Sequence, residues 1–201
     1  MQAEVDWQPS LFDGGSPVLD VSYTGIRRIV LDDRSWVDYC PSWLAGSDEL
    51  FDLLAGEAQG ESTGGPPILR DMASALTGRY GAGFDRIRVN LYRGGADSVA
   101  WHGDRSRLVM TRPLVATVSL GARRKFLLRP RGTSRALHRL EPGHGDLVVM
   151  GGECQAEWEH TVPKTKQPVG ARMSVTIRHS APAPGERWLR EPGSREPGHA
   201  W

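Results

Sequence analysis

A histidine and an aspartate two residues apart are the first chemical signal in this sequence. In DSVAWHGDRS, His102 and Asp104 follow residues 98–101, a run that is typical of a β-strand. Side chains two residues apart on a strand point to the same side, so the imidazole and the carboxylate would converge on one spot. The pair is either a surface ion pair or part of a site that holds something.

Two histidines and one carboxylate form the ligand set of non-haem iron(II) oxygenases, so a second histidine is needed. In EPGHGDL, His144 and Asp146 repeat the His-Gly-Asp spacing, but this copy lies in a Pro-Gly turn before a buried strand. His160, in AEWEHTV, follows Asp104 by 56 residues, which leaves room for the intervening strands of a barrel. We therefore predict that His102, Asp104 and His160 bind the metal ion.

The segment ARMSVTIRH separates polar from apolar residues on the two faces of a predicted strand. The polar face carries Arg172, Ser174, Thr176 and Arg178. Two arginines directed into a barrel are costly unless they meet anions, and a dicarboxylate such as 2-oxoglutarate would supply one carboxylate for each. The alternative is an outward polar face with salt bridges. In RVNLYRGG, Asn90 and Tyr92 add neutral hydrogen-bond donors on one face.

The composition is that of an ordinary soluble domain. The chain has 201 residues, 39% hydrophobic and 24% charged residues, and a formal net charge of +1. This length suits one domain with a real core. Cys40 and Cys154 are far apart, which excludes a disulfide scaffold and a structural zinc site. With no leader-like start and no long apolar segment, we expect a cytoplasmic monomer that does not enter a membrane.

The order of the predicted elements is helices first and strands afterwards. SDELFDLLAG and PPILRDMASALTGRY have apolar residues at helical spacing. From about residue 87, short alternating segments separated by turn residues indicate a sandwich or barrel. We expect a flexible arm at 1–22 and one domain at 23–180, with a helical start at 41–80 and a β-core at 84–179. A disordered Pro/Gly/Arg-rich tail is expected at 181–201.

Four stretches in this order resemble the AlkB-like family of Fe(II)/2-oxoglutarate-dependent dioxygenases, of the bacterial alkylated-DNA repair type. They are VNLYRGGADSVAWHGD, LVATVSLGARRKFLLRPR, HGDLVVMGGECQAEWEHTVPK and ARMSVTIRH. The resemblance implies a mainly β fold, a double-stranded β-helix (jelly roll) with N-terminal helices packed on it. It implies that His102, Asp104 and His160 bind Fe(II). The residues that it implies for 2-oxoglutarate are Asn90, Tyr92, Arg172, Ser174 and Arg178.

The implied reaction is oxidative demethylation of N-alkylated bases in DNA or RNA, which consumes O2 and releases formaldehyde, succinate and CO2. The base would be flipped out or single-stranded. Ser174 replaces an Asn of many members, and Ser106 replaces an acidic residue that helps repair members to read the base. A lid rich in aromatic and basic residues is reduced to EAQGESTGG at 57–65. This loop is either short by nature or a replacement for the lid, and we expect weaker or less selective substrate binding.

Two further groups of residues are candidates for contact with the substrate. A predicted basic hairpin would face the nucleic-acid backbone, unless it is an ordinary solvated hairpin. Its residues are Arg123, Arg124, Lys125, Arg129, Arg131 and Arg135. Trp158 shares a face with His160, so it either lines the substrate pocket together with Ser106 or belongs to the core.

The stretch QPSLF resembles the Gln-x-x-Leu-Phe peptide that binds the bacterial sliding clamp. Gln8, Leu11 and Phe12 would then enter a groove of the clamp, unless Leu11 and Phe12 pack on the barrel. Two other functions compete with nucleic-acid demethylation. One is an oxygenase that acts on a protein or a small molecule. The other is a non-catalytic clamp- or DNA-associated module, which the complete set of metal ligands argues against.

Overall fold

The computed structural model describes residues 15–57, 65–104 and 112–179. The strands are β1 (Val18–Leu19), β2 (Arg27–Val30), β3 (Ser35–Cys40), β4 (Leu44–Ala45), β5 (Phe84–Tyr92), β6 (Val99–His102), β7 (Val115–Gly121), β8 (Phe126–Pro130), β9 (His138–Leu140), β10 (Leu147–Gly152), β11 (Trp158–Val162) and β12 (Arg172–His179). The helices are α1 (Ser47–Glu57), α2 (Ile68–Tyr80) and α3 (Cys154–Glu157). The described chain is therefore mainly β, as predicted.

Two antiparallel sheets form the barrel. The larger sheet has six strands in the order β2-β3-β10-β7-β12-β5, and the smaller has four in the order β6-β11-β8-β9. Strands that follow one another in sequence lie mostly apart within a sheet, so the chain crosses repeatedly between the sheets. This arrangement is the one expected of a jelly roll.

Helices α1 and α2 cover the outer face of the larger sheet. The apolar side of α1 buries Leu50, Phe51 and Leu54, and that of α2 buries Leu69, Met72 and Leu76. These side chains pack against Met173, Val175 and Ile177 of β12. Full burial of one such side chain stabilises the fold by about 1.5–3 kcal/mol. Helix α2 ends at Gly81, whose φ of 66° places it in the left-handed region that closes helices.

A second apolar core lies between the two sheets. Its buried members include Val37, Phe126, Leu128, Met150 and Trp158. They occupy the inner faces of β3, β8, β10 and β11 because alternate residues of each strand face inward. The polar face of β12 occupies one part of the barrel interior, and this apolar core fills the other part. The core thereby fixes the distance between the two sheets.

Two features near the start of the chain differ from the sequence prediction. Residues 15–22 are not part of a flexible arm, because Val18–Leu19 pairs with Leu44–Ala45 as β1 and β4. The ring of the buried Tyr23 packs against Trp43, with the two ring centroids 5.9 Å apart. This contact anchors the first described segment of the chain. Strand β3 was not predicted from the sequence, because Asp38 interrupts the apolar pattern of this segment. Arg28 lies 2.7 Å from this carboxylate and makes its burial possible. Residues 1–14 and 180–201 lie outside the described residues.

The second His-Gly-Asp copy has a structural role. Asp146 is buried, and its carboxylate accepts hydrogen bonds from Ser42 N at 2.8 Å, Gly143 N at 2.7 Å and the hydroxyl of Tyr39. These bonds join the turn before β10 to β3 and to the segment before β4. Gly121 N donates to His144 Nδ1 at 2.6 Å, so His144 is also engaged away from the predicted metal site.

Replacement of Asp146 tests this role. Asp146→Ala leaves the buried Gly143 N–H and the buried Tyr39 hydroxyl without their acceptor, besides the N–H of the exposed Ser42, and each buried group costs about 1–3 kcal/mol. We expect a loss of at least about 2 kcal/mol in the free energy of unfolding, measured by urea denaturation. Asp146→Asn keeps one acceptor oxygen and is expected to lose less. Equal stability of the Ala variant and the parent protein would contradict the assignment.

Candidate metal centre and cosubstrate pocket

The two predicted histidine ligands meet across a pair of neighbouring strands. β6 and β11 run antiparallel, and His102 lies directly opposite His160 in their register. The two ring centroids are 4.3 Å apart. Residues that face each other across an antiparallel pair point to the same side of the sheet. The sheet register therefore brings together ligands that are far apart in the sequence.

Local hydrogen bonding orients His102. Its Nδ1 lies 2.8 Å from the carbonyl oxygen of Ala100, which can only accept, so Nδ1 carries the proton and Nε2 keeps its lone pair. Gly103 then allows a close approach of neighbouring backbone. A Cβ at this position would lie 2.5 Å from the carbonyl oxygen of Gln155. Only glycine fits between the two ligands, a constraint that the sequence analysis missed.

Asp104 completes the group. Its backbone N–H donates to Gln155 Oε1 at 2.8 Å, and Arg178 Nη2 donates to its Oδ1 at 2.9 Å. Candidate ligand atoms of His102, Asp104 and His160 all lie within 4.8 Å of one another. This spacing suits a single metal ion bound on one side by two nitrogens and one oxygen. The three predicted ligands thus converge, with Arg178 holding the carboxylate from behind.

The protein environment keeps His160 in the form that binds a metal. Its side chain is 7% exposed and stacks on Phe126 with centroids 5.2 Å apart. Burial, reinforced by the neighbouring His102, lowers the pKa of His160 to about 4. The imidazole is therefore neutral at physiological pH and is available as a ligand without loss of a proton.

The interior of the barrel holds a charged side chain that lacks an anionic partner. Arg172 is 1% exposed, and its two terminal nitrogens donate to Ser174 Oγ at 2.6 Å and Ser119 Oγ at 2.8 Å. Its Nε has no hydrogen-bond partner, and no carboxylate of the described residues pairs with it. Burial lowers the pKa of Arg172 to about 10, which still leaves it charged at neutral pH. An uncompensated buried cation of this kind fits the carboxylate of a bound ligand.

The remaining predicted cosubstrate residues lie beside Arg172. Across the β5–β12 pair, Tyr92 is opposite Arg172 and Asn90 is opposite Ser174. The guanidinium carbon of Arg172 is 5.3 Å from the centroid of the Tyr92 ring. Ser119 enters from β7, opposite Ser174 on its other side. Sequence reasoning missed Ser119, although its alternation with Thr117 in LVATVSLG was a signal for an inward polar face.

One cavity brings together the candidate metal ligands and several of the predicted cosubstrate residues, although Arg172 and Ser119 are not among its lining residues. It has a volume of about 530 Å³, and its lining includes the three candidate metal ligands together with Asn90, Tyr92, Ser174 and Arg178. The chemistry of the donors fits both a divalent metal and a dicarboxylate. The imidazoles and the carboxylate would bind the metal, Arg172 would bind the far carboxylate of 2-oxoglutarate, and Arg178 already holds the ligand Asp104.

Comparison with known proteins agrees with this geometry. Residues 59–178 match the 2OG-Fe(II) oxygenase superfamily. The chain belongs to that superfamily. The chain is 34% identical to alpha-ketoglutarate-dependent dioxygenase alkB homolog 3 of Homo sapiens over 131 residues, which are 61% of this chain and 46% of that protein. It is 30% identical to DNA oxidative demethylase ALKBH2 of Arabidopsis thaliana over 135 residues, with 56% and 43% covered.

The fold is similar to that of a solved structure as well. The structure of OsALKBH1 superposes with a TM-score of 0.55 at 16% identity, covering 77% of this chain and 100% of that chain. The jelly roll and the AlkB-type resemblance are thereby confirmed, whereas the bacterial repair type stays a prediction. The matched part of the chain spans a little under half the length of these curated relatives. Its superfamily and its His-Asp-His group imply Fe(II) and 2-oxoglutarate.

Trp158 is a core residue. It is 4% exposed, its indole N–H donates to Asp32 Oδ2 at 2.5 Å, and it does not line the cavity. This differs from the predicted role in the substrate pocket, because Asp32 from the β2–β3 turn captures the indole. Ser106, most of the 57–65 loop, and the clamp peptide with Gln8, Leu11 and Phe12 lie outside the described residues. Their roles stay predictions.

The residues of the predicted basic surface differ in their exposure and in their hydrogen bonds and ion pairs. Arg123, Lys125 and Arg135 are exposed. Arg124 is instead 4% exposed and donates to the carbonyl oxygens of Gly94, Asp97 and Pro163 at 2.7–2.9 Å, which contradicts a role on the nucleic-acid surface.

The other two members of this basic surface are held by one carboxylate. Arg129 and Arg131 both pair with Glu159, at 2.9 and 3.4 Å. Arg129 also lies over the Trp101 ring, with its guanidinium carbon 4.2 Å from the centroid.

Among the described residues, no helix has both the length and the apolar character that a membrane-spanning helix needs.

Replacement of His102 is expected to abolish tight metal binding. Loss of an outer-shell partner of a metal ligand typically weakens binding about 10–100-fold, and loss of the ligand itself should exceed that. We expect His102→Ala to raise the Kd for Mn(II), measured by calorimetry, by more than about a hundredfold. His138→Ala, which removes a histidine of β9 outside the site, serves as the control. A matching Kd in the two variants would exclude His102 as a ligand.

Binding of 2-oxoglutarate is expected to stabilise the protein through Arg172. At about a hundred times its Kd, a ligand of the native state contributes about 2.7 kcal/mol. In the presence of Mn(II), this corresponds to a rise in Tm of roughly 5–10 °C for a domain of this size. Arg172→Met should lose most of the rise, whereas Arg139→Met, on the exposed hairpin, should keep it. A full rise in Arg172→Met would refute the assignment.

Proposed function

We propose that this oxygenase removes N-linked methyl groups from nucleobases, with DNA as the preferred substrate and RNA as a second one. The observation that carries this proposal is one cavity of about 530 Å³ that is lined both by the predicted cosubstrate residues Asn90, Tyr92 and Ser174 and by the three candidate metal ligands. Cavities of this size accommodate drug-sized ligands, and this one has room for a flat base beside the cosubstrate. A base in a duplex reaches such a cavity only when it is flipped out or single-stranded.

The residues of the chain have distinct tasks in this reaction. His102, Asp104 and His160 would hold Fe(II) on one side and leave the other coordination positions open. Arg172 would anchor the far carboxylate of 2-oxoglutarate, supported by the hydroxyls of Ser119 and Ser174. Bound Fe(II) supplies, with O2 and 2-oxoglutarate, the oxidising chemistry of the reaction.

The atoms of the reaction balance without any further reactant. One oxygen atom of O2 enters succinate as 2-oxoglutarate loses CO2, and the other oxidises the methyl group of the substrate. The C–N bond of the hydroxylated N-methyl group then breaks and the carbon leaves as formaldehyde. The electron pair of that bond stays on the base nitrogen, and the hydroxyl proton passes to this nitrogen or, from a cationic methylated base, to solvent. The task of the protein is to hold substrate and cosubstrate in a dry cavity that excludes side reactions.

The names of two relatives favour a nucleic-acid substrate. ALKBH2 proteins of Arabidopsis thaliana and Homo sapiens are DNA oxidative demethylases by name, and the chain is 30% and 31% identical to them. Exposed cations favour the same substrate, since Arg123, Lys125 and Arg135 border the hairpin formed by β8 and β9. Cytoplasmic location, a monomeric state and clamp binding through Gln8, Leu11 and Phe12 remain predictions.

Mass spectrometry of a methylated oligonucleotide tests the proposal. A single-stranded DNA with one 1-methyladenine or 3-methylcytosine is incubated with Fe(II), 2-oxoglutarate and the full chain. We expect the oligonucleotide to lose the mass of one CH2 group. His102→Ala, which lacks a ligand, should leave the mass unchanged, whereas His138→Ala should behave as the parent protein.

Two other outcomes would redirect the assignment. Formation of succinate without any change in the oligonucleotide would contradict the proposal and favour an oxygenase of proteins or small molecules. Absence of both succinate and demethylation, with metal binding intact, would instead favour the non-catalytic module. Parallel incubation with a methylated RNA oligonucleotide compares the two nucleic acids.

A further inference from the structure

Arg88 is a cationic residue of the cavity that has no role in the binding of the metal or of the cosubstrate described above. It lies on β5, opposite Thr176 of β12, and it lines the same cavity as the metal ligands. Alternation along the strand places it on the face of Asn90 and Tyr92, which point into the barrel. Unlike these two residues, Arg88 is exposed. It therefore lies at the rim of the cavity and not at its closed end.

The charge of Arg88 is not balanced within the described part of the protein. Arg178 pairs with Asp104 at 2.9 Å, and Arg93 pairs with Asp97 at 2.9 Å. No ion pair among the described residues involves Arg88 or its neighbour Arg86, which lies opposite Arg178. β5 is the edge strand of the larger sheet, and of these two cations Arg88 lines the cavity. The rim thus carries excess positive charge where a substrate enters.

We propose that Arg88 binds a backbone phosphate next to the target base. This inference rests on the proposed function and adds a residue that determines substrate affinity. When a base enters the cavity, its phosphates stay at the opening, and they are the anions attached closest to it. A guanidinium pairs with phosphate through parallel N–H donors, which gives a stronger contact than a lysine ammonium.

The position of Arg88 argues against a role in cosubstrate binding. Arg172, Ser174 and Asn90 lie together at one end of the β5–β12 pair, and the Arg88–Thr176 pair lies one inward-facing position further along, toward the Arg86–Arg178 pair. A carboxylate of 2-oxoglutarate held by Arg172 would be separated from Arg88 by the Asn90–Ser174 pair. Substitution of Arg88 should therefore change nucleic-acid affinity and leave 2-oxoglutarate affinity unchanged.

Fluorescence anisotropy with the full chain tests the contact without turnover. The probe is a single-stranded DNA with one 1-methyladenine, bound in the presence of Mn(II) and 2-oxoglutarate. We expect Arg88→Leu to raise its Kd about tenfold, as for loss of one charge-assisted hydrogen-bonded contact. The slope of log Kd against log salt should fall by about 0.7, the value for one phosphate of a single strand. Arg88→Lys should recover part of the affinity.

A neutral backbone supplies the matched comparison. When methylphosphonates replace the two phosphates that flank the modified base, the parent protein and Arg88→Leu should bind equally. Arg70→Leu removes an exposed arginine of α2, outside the cavity, and should bind the native probe like the parent protein. The Kd for 2-oxoglutarate, measured in each variant, should stay constant.

The results separate this inference from the proposed function. An unchanged Kd and salt slope in Arg88→Leu would overturn the phosphate contact, and so would a loss confined to 2-oxoglutarate affinity. If the native probe depends on Arg88 but is not demethylated with Fe(II), the contact stands and the proposed demethylation fails. If Arg88→Leu raises KM for the native oligonucleotide while kcat holds, both stand.

Discussion

The two faces of strand β12 are the constraint on which the rest of the molecule depends. Met173, Val175 and Ile177 pack into the core beneath the helices, whereas Arg172 lies in the barrel interior. Because side chains alternate, a register slip of one residue would exchange the two faces and place Arg172 in the apolar core. Pairing with β5 on one side and β7 on the other prevents the slip. The helices are thus needed for the site although no described residue of α1 or α2 lines the cavity.

The surroundings of Arg172 explain how a cation is held without being neutralised. Ser119 and Ser174 accept hydrogen bonds from its terminal nitrogens, and hydroxyls satisfy donors while adding no charge. A carboxylate at either position would pair permanently with the guanidinium and compete with a dicarboxylate ligand. Burial of an unpaired cation costs free energy, and an anionic ligand offsets this cost because it neutralises the charge. The site therefore favours anionic ligands.

Sequence reasoning predicted the features that rest on local periodicity and missed those that rest on long-range contacts. The structure has the alternating polar and apolar faces predicted for ARMSVTIRH and the convergence predicted for His102 and Asp104. The register of β6 with β11 places His160 opposite His102. By contrast, Gln155 reaches Asp104 from α3, 51 positions later. Nothing in the sequence distinguishes Arg124, which donates to buried carbonyls, from the exposed arginines around it. Such roles depend on which loops the fold brings together.

The site is divided between the sheets, so its geometry depends on how they are joined. The smaller sheet supplies His102 and His160, and the larger sheet supplies the residues around Arg172. At the metal end, Arg178 of β12 bonds to Asp104, which follows β6. At the other end, Arg124 donates to the loop between β5 and β6 and to Pro163 after β11. One guanidinium at each end thus ties the sheets together. Because a misplacement of about 1 Å can cost a hundredfold in rate, both contacts would matter for the proposed reaction although neither arginine reacts.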